Sequence, residues 1–187
     1  NGATHKLNLW HVKLTGSDIS GNGNNVNSRG GSIQIYINGG KLNLYYSEIS
    51  GNKAKLGGGI YAYGNGASDS RVNIYNSIIK DNEATLTGGG VSLSKIVATI
   101  EGSIIDNNEA GTHAGGVFFV ESGNNNKLMI TNSKISNNEA TNDGGGIASS
   151  GSDIIIRQST FSGNTATNGN EIKTSSSPTI TVVNTIG

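Results

Sequence analysis

One phrase, Ser-x-φ-x-x-Asn with φ apolar, occurs six times in this chain and limits what it can fold into. The serines are Ser17, Ser47, Ser77, Ser103, Ser133 and Ser159, at intervals of 30, 30, 26, 30 and 26 residues. The asparagines keep step as Asn22, Asn52, Asn82, Asn108, Asn138 and Asn164. Most copies then add a glycine run and an aliphatic residue. A period of this length belongs to stacked supersecondary units that bury one another's apolar faces, not to a single globular core.

Each unit opens on an alternating strand. Counting back from the serine, its apolar pairs are Val12/Leu14, Leu42/Leu44, Val72/Ile74, Ala98/Ile100, Leu128/Ile130 and Ile154/Ile156. Period-two alternation places each pair on one face. The φ position continues inward as Ile19, Ile49, Ile79, Ile105, Ile135 and Phe161. A second strand follows the glycines, with Ile33, Ile60, Val91, Val117 and Ile147 leading it. Length varies mainly between this strand and the next unit, which predicts loops on one edge of a solenoid.

No helical period interrupts the pattern. The reading is an all-β, right-handed parallel β-helix of about six full rungs of 26–30 residues, stacked at about 4.8 Å into a rod roughly 30 Å long. Residues 1–187 form one such segment. The chain starts without Met, and Ile180 to Thr185 begin a further unit, so a slice of a longer protein is expected.

Composition agrees. Hydrophobic residues are 33% and charged residues 14%, too little charge for a disordered polyelectrolyte. Glycine (29) and asparagine (26) are abundant, as tight turns with positive φ require. Thirteen cationic and thirteen acidic side chains give a net charge of zero, so no nucleic-acid partner is expected. No apolar run is long enough for direct membrane insertion. Cysteine is absent, leaving stability to the stacking itself.

In these residues the chain resembles the polymorphic outer membrane protein repeat of chlamydial surface autotransporters, whose paired motifs are Phe-x-x-Asn and Gly-Gly-Ala-(Ile/Leu/Val). Phe161-Ser-Gly-Asn164 matches the first, and Ile49-Ser-Gly-Asn52 shows the isoleucine of the other copies. Gly58-Gly59-Ile60, Gly89-Gly90-Val91, Gly115-Gly116-Val117 and Gly145-Gly146-Ile147 match the second without its alanine. The likeness covers residues 12 to 172. It implies a right-handed β-helix, exposure at a cell surface and often adhesion, as in autotransporter passengers.

The asparagines read as a hydrogen-bonded ladder from rung to rung, since each amide has both a donor and an acceptor. Glu83, Glu109 and Glu139 follow three of them, with Lys53 in the rung before. In register these carboxylates would stand about 5 Å apart, as a row for Ca²⁺, which takes oxygen ligands, or as a solvated face. His11, Lys41, Arg71 and Lys127 form a basic column, for an anionic glycan or merely for solubility. Tyr45 and Tyr75 share one repeat position, Tyr61 and Phe118 another, and Tyr63 lies close by. All five are expected to face outward, as platforms for sugars or protein partners or as a stabilising stack.

Parallel β-helices also house polysaccharide-cleaving enzymes, which need convergent carboxylates, or metal-binding acids with a basic proton acceptor. No nonrepetitive Asp, Arg and His cluster breaks this repeat. The sequence therefore reads as a noncatalytic extracellular segment without cofactor: an adhesin stalk or passenger, or alternatively a subunit of a filament or cell-envelope layer. Its expected partners are further rungs, of the same chain or other subunits, and a surface glycan or protein. No Asn-x-Ser/Thr acceptor occurs among the asparagines, which favours a prokaryotic surface protein.

Overall fold

A computed structural model describes residues 6–19, 28–65, 69–120, 126–151, 153–176 and 178–184. Among these every regular element is a strand, and every strand pairs parallel. They stack as a β-solenoid whose turns contribute to four sheets. Sheet A has seven strands: Lys6–Trp10, Lys41–Tyr45, Arg71–Tyr75, Val97–Glu101, Lys127–Thr131, Asp153–Arg157 and Ile180–Val183. Sheet B holds six short strands, from Lys13–Thr15 to Thr160–Ser162. Sheet C holds four, Lys53–Leu56, Glu83–Thr87, Glu109–Ala110 and Glu139–Ala140. Sheet D runs in six strands from Ile33–Ile37 to Ile172–Ser175.

The stack makes about five turns, against about six read from the serines. The complete turns begin at Lys41; the turn before them includes residues 20–27, which lie outside the described set together with Asn22. In that first turn the repeat phase also differs from the sequence reading. Lys6-Leu7-Asn8-Leu9-Trp10 pairs with Lys41-Leu42-Asn43-Leu44-Tyr45. Leu7 and Leu9, not Val12 and Leu14, therefore take the inward sites of sheet A. Lys13 lies opposite Glu48 in sheet B, and Ser17 takes the place of an asparagine, its N–H donating to Asn52 Oδ1 at 3.1 Å. Chemistry decides this register: Lys-Leu-Asn-Leu plus an aromatic matches at five positions, outweighing the serine phrase. The extra residues of the turn lie in an insertion. Asp18 and Arg29 both bridge to sheet C but stand 11 positions apart, where their partners Lys53 and Leu56 stand three apart.

Inward side chains form one continuous column. Leu42, Leu44, Ile74, Ile100, Leu128, Ile130 and Phe119 are completely buried, and each such side chain contributes about 1.5–3 kcal/mol relative to exposure. Corners are turned by residues in the left-handed region. Gly51, Asp81, Asn107, Asn137 and Gly163 mark the corner between sheets B and C, with φ of 52 to 68°. The glycine run has a division of labour. Gly57, Gly88 and Gly144 have positive φ, a site Ala114 occupies in the third complete turn, which opens at Val97. Gly89 has none, yet a Cβ there would stand 2.3 Å from the Glu109 carbonyl oxygen. Its missing side chain lets one backbone stack on the next.

Two buried ladders bind the turns. The main-chain N–H of Asn52, Asn82, Asn108 and Asn138 donates to the Oδ1 of the next asparagine, and each Nδ2 donates to that same oxygen at 2.8 to 3.0 Å. Beside it, the N–H of Ser47, Ser77, Ser103 and Ser133 donates to the next serine Oγ at 3.1 to 3.2 Å. Each of these hydroxyls in turn donates to the carbonyl two residues earlier. The repeated phrase thus satisfies main-chain donors at corners where strand pairing cannot.

Candidate functional site

The asparagine row is consumed by the fold. Asn52, Asn82, Asn108, Asn138 and Asn164 are at most 3% exposed, and the row ends where Asn164 Nδ2 donates to the Glu171 carboxylate. Function must be sought on the outer face, where alternate residues of each strand point away from the core.

Sheet A exposes an aromatic stack. The Trp10 and Tyr45 rings lie 4.1 Å apart with planes within 18°, and Tyr45 and Tyr75 lie 5.2 Å apart within 15°. His11 stacks on Tyr46 at 5.4 Å beside them. In-register strands place these rings over one another, so Tyr45 spends both faces on its neighbours. Trp10, 54% exposed, keeps its outer side free. Sequence reasoning overlooked Trp10, although Lys6-Leu7-Asn8-Leu9-Trp10 repeats Lys41 to Tyr45 almost letter for letter.

Sheet D gathers Tyr36, Tyr61 and Tyr63. Tyr61 does not present itself to solvent as expected: it is 6% exposed, with the Arg29 guanidinium 5.2 Å over its ring. Arg29 Nη1 also donates to Tyr36 Oη at 2.8 Å. Burial raises the Tyr61 pKa above its ordinary value. Tyr36, which the sequence reading passed over, is the exposed member at 59%. Lys95 Nζ lies 5.3 Å from the centre of the Tyr63 ring.

Phe118 faces outward farther along sheet D, its ring 6.3 Å from His113 and within 17° of parallel. His113 Nδ1 pairs with Asp143 Oδ2 at 3.0 Å, and Asn168 Nδ2 donates to the other carboxylate oxygen at 3.0 Å. A carboxylate-oriented histidine is one part of a nucleophilic site, which also needs an activated hydroxyl or thiol. Ser149 lines the same groove but is in register with the core residue Phe119 and is buried without a hydrogen-bond partner on its Oγ.

Glu83, Glu109 and Glu139 stand on consecutive turns, as the sequence reading expects. Glu83 is engaged by Lys53 Nζ, which raises the lysine's pKa first through this hydrogen bond and then through the charge. Among the described residues no group of three or more His, Cys, Asp or Glu is placed to hold a metal ion. The row therefore gives Ca²⁺ no assembled ligand set.

The basic column belongs to sheet A, with Lys6 and not His11 as its first member. Lys6, Lys41 and Arg71 are in direct register, followed by Val97, Lys127 and Asp153. Lys95 stands at the corner two residues before Val97. Comparison with family models, with curated proteins and with solved structures found no match to this chain.

Proposed function

We propose that this chain is a noncatalytic β-solenoid rod displayed outside the cell, where it serves as an adhesive stalk or passenger. The observation that carries this reading is the contrast between the two sides of each turn. Inward and corner positions repeat from rung to rung, while outward positions change from aromatic to basic to small. A regular stack with a varied outer surface suits presentation of contacts along a length. The resemblance to the polymorphic outer membrane protein repeat points the same way, towards a cell-surface location.

The aromatic residues are the proposed contacts, with Tyr45 and Tyr75 offering ring edges and hydroxyls, and Tyr63 and Phe118 their outer sides. Tyr61 meets the Tyr36 ring edge-on at 6.3 Å. Catalysis is set aside because none of Ser149, Ser150 and Ser175, which line the groove with the His113–Asp143 pair, is hydrogen-bonded to His113.

A structural filament subunit is the second reading, favoured by the two terminal strands of sheet A. Leu7, Ile180, Val182 and Val183 are 41 to 53% exposed, and an outer strand leaves main-chain groups able to pair with another strand. Electron microscopy of the native assembly separates the readings. Discrete rods on the cell surface, together with adhesion of chain-coated beads that is lost in Trp10→Ala and Tyr36→Ala, support the adhesive role. Continuous filaments with no bead adhesion replace it by the structural one.

A further inference from the structure

We propose that the described cations at the corner joining sheet D to sheet A form a track for a linear acidic polysaccharide, carrying about one carboxylate or sulfate per sugar residue and lying along the solenoid axis. The inference rests on the surface-display reading and names the ligand for it.

Five successive turns each place one cation at this corner: Lys6, Lys41, Arg71, Lys95 and Lys127. The side chains of Lys6, Lys41, Arg71 and Lys127 alternate with buried Leu42, Val72 and Leu128 and so stand on the outer face. None of the five makes an ion pair with a described residue, whereas Lys13, Lys53 and Lys80 do. Among the described residues the nearby acids are Asp69, and Asp153, which accepts from the Thr179 N–H at 3.2 Å. On a chain of zero net charge this is a segregated row.

Like charges directly opposite one another across strands are destabilising. Lys6, Lys41 and Arg71 incur that cost with no ion pair to a described residue to offset it. Protection of a sheet edge does not account for it, because Lys41 and Arg71 sit on inner strands of sheet A. A bound polyanion would supply the missing charge. Spacing selects the kind: Lys6, Lys41 and Arg71 recur once per rung, about 4.8 Å, Lys95 stands to the side of the next rung and Lys127 resumes the column. A pyranose residue advances an extended chain by a comparable length. The acidic groups of an extended chain then come within reach of successive cations, with the Tyr63 ring, over which Lys95 lies, on the sheet D side.

Two other occupants fit less well. Single-stranded nucleic acid needs bare ring faces for its bases, but Tyr45 is enclosed by Trp10 and Tyr75, and Tyr63 is covered by Lys95. A second copy would bring the Glu83, Glu109 and Glu139 row, in which Glu83 is already held by Lys53.

The test measures binding of the purified chain to polygalacturonate and to heparin, with neutral dextran and single-stranded DNA as controls, over a range of salt. Binding to one or both acidic polymers is expected, weakening with salt as counter-ion release requires. Preference between the two identifies carboxylate or sulfate as the charge. Lys41→Gln/Arg71→Gln/Lys127→Gln should lose about tenfold in affinity, the worth of three exposed ion pairs. Lys134→Gln/Arg157→Gln/Lys173→Gln changes net charge equally and should keep wild-type affinity. Should the first triple variant fail to melt cooperatively, Lys41→Gln alone must still reduce the salt slope. Equal losses in both triples would overturn the track, as would tighter binding to DNA or salt-sensitive self-association without polymer binding. Bead adhesion that persists without polymer binding would overturn the track and leave the adhesive reading standing.

Discussion

At the scale of single residues, the asparagines illustrate how a polar side chain can be as tightly specified as a core leucine. Asn138 is completely buried. Its Oδ1 accepts from both the N–H and the Nδ2 of Asn108, while its own Nδ2 reaches Asn164 Oδ1 at 2.8 Å and the Ile105 carbonyl at 3.0 Å. Asn138→Ala removes the acceptor of the Asn108 main-chain N–H, while Asn108 Nδ2 keeps the Ile79 and Asp106 carbonyls, at a cost of about 1–3 kcal/mol for the buried group left unpaired. Urea unfolding is expected to show a loss of at least the lower figure, and a stability within error of wild type would count against the ladder. That a ladder exists was legible from the spacing of Asn52, Asn82, Asn108, Asn138 and Asn164. Its direction was not, because amide orientation depends on which neighbouring donor reaches the oxygen.

At the scale of elements, register turns scattered side chains into rows. Strand Arg71–Tyr75 sets Tyr75 beneath Tyr45, and strand Ile60–Gly64 sets Tyr63 beneath Tyr36 and Tyr61 beneath Gln34, where the Arg29 guanidinium lies over its ring. Burial is the leading cause that raises both the Tyr61 and the Tyr75 pKa above the ordinary 10.0, and neighbouring tyrosines add to it. A raised folded-state pKa means that the neutral phenol is favoured in the folded protein. This contribution to stability is fully present below the unfolded value and is lost as pH rises through the folded one. A spectrophotometric titration should show part of the six-tyrosine signal delayed, and Tyr61→Phe/Tyr75→Phe should remove that late fraction. An unchanged titration curve in the double variant would refute the assignment. Tyr61 and Tyr75 were legible as outward aromatics from strand alternation. The shielding of Tyr61 was not, since it requires Arg29 to reach across from the bridge at Leu56.

At the scale of the whole molecule, each turn touches only its neighbours, so stability is a sum of turns and of the contacts between them. The central turns have a neighbour on both sides, and the outer strands of each sheet have one. Hydrogen exchange should therefore be slowest at Val91–Ser94 and Val117–Val120 and fastest at Lys6–Trp10 and Ile180–Val183, where side chains are already exposed. Uniform protection from one end to the other would exclude this gradient, or reveal partner turns that cover the ends.

The sequence by itself determined the solenoid, because a period of 26 to 30 residues with inward alternation and a fixed asparagine has no other way to bury its apolar face. It also determined which side chains line the core from Leu42 onward. Tertiary structure alone decided the register of the first turn, where Leu7 and Leu9 displaced Val12 and Leu14. It decided as well that Lys6, not His11, heads the basic column of Lys41, Arg71 and Lys127, and that Lys95 stands beside it. The physical reason is the same in both cases: a short phrase specifies its own strand, but which strands lie side by side is settled by main-chain pairing between turns, whose insertions the local pattern does not count.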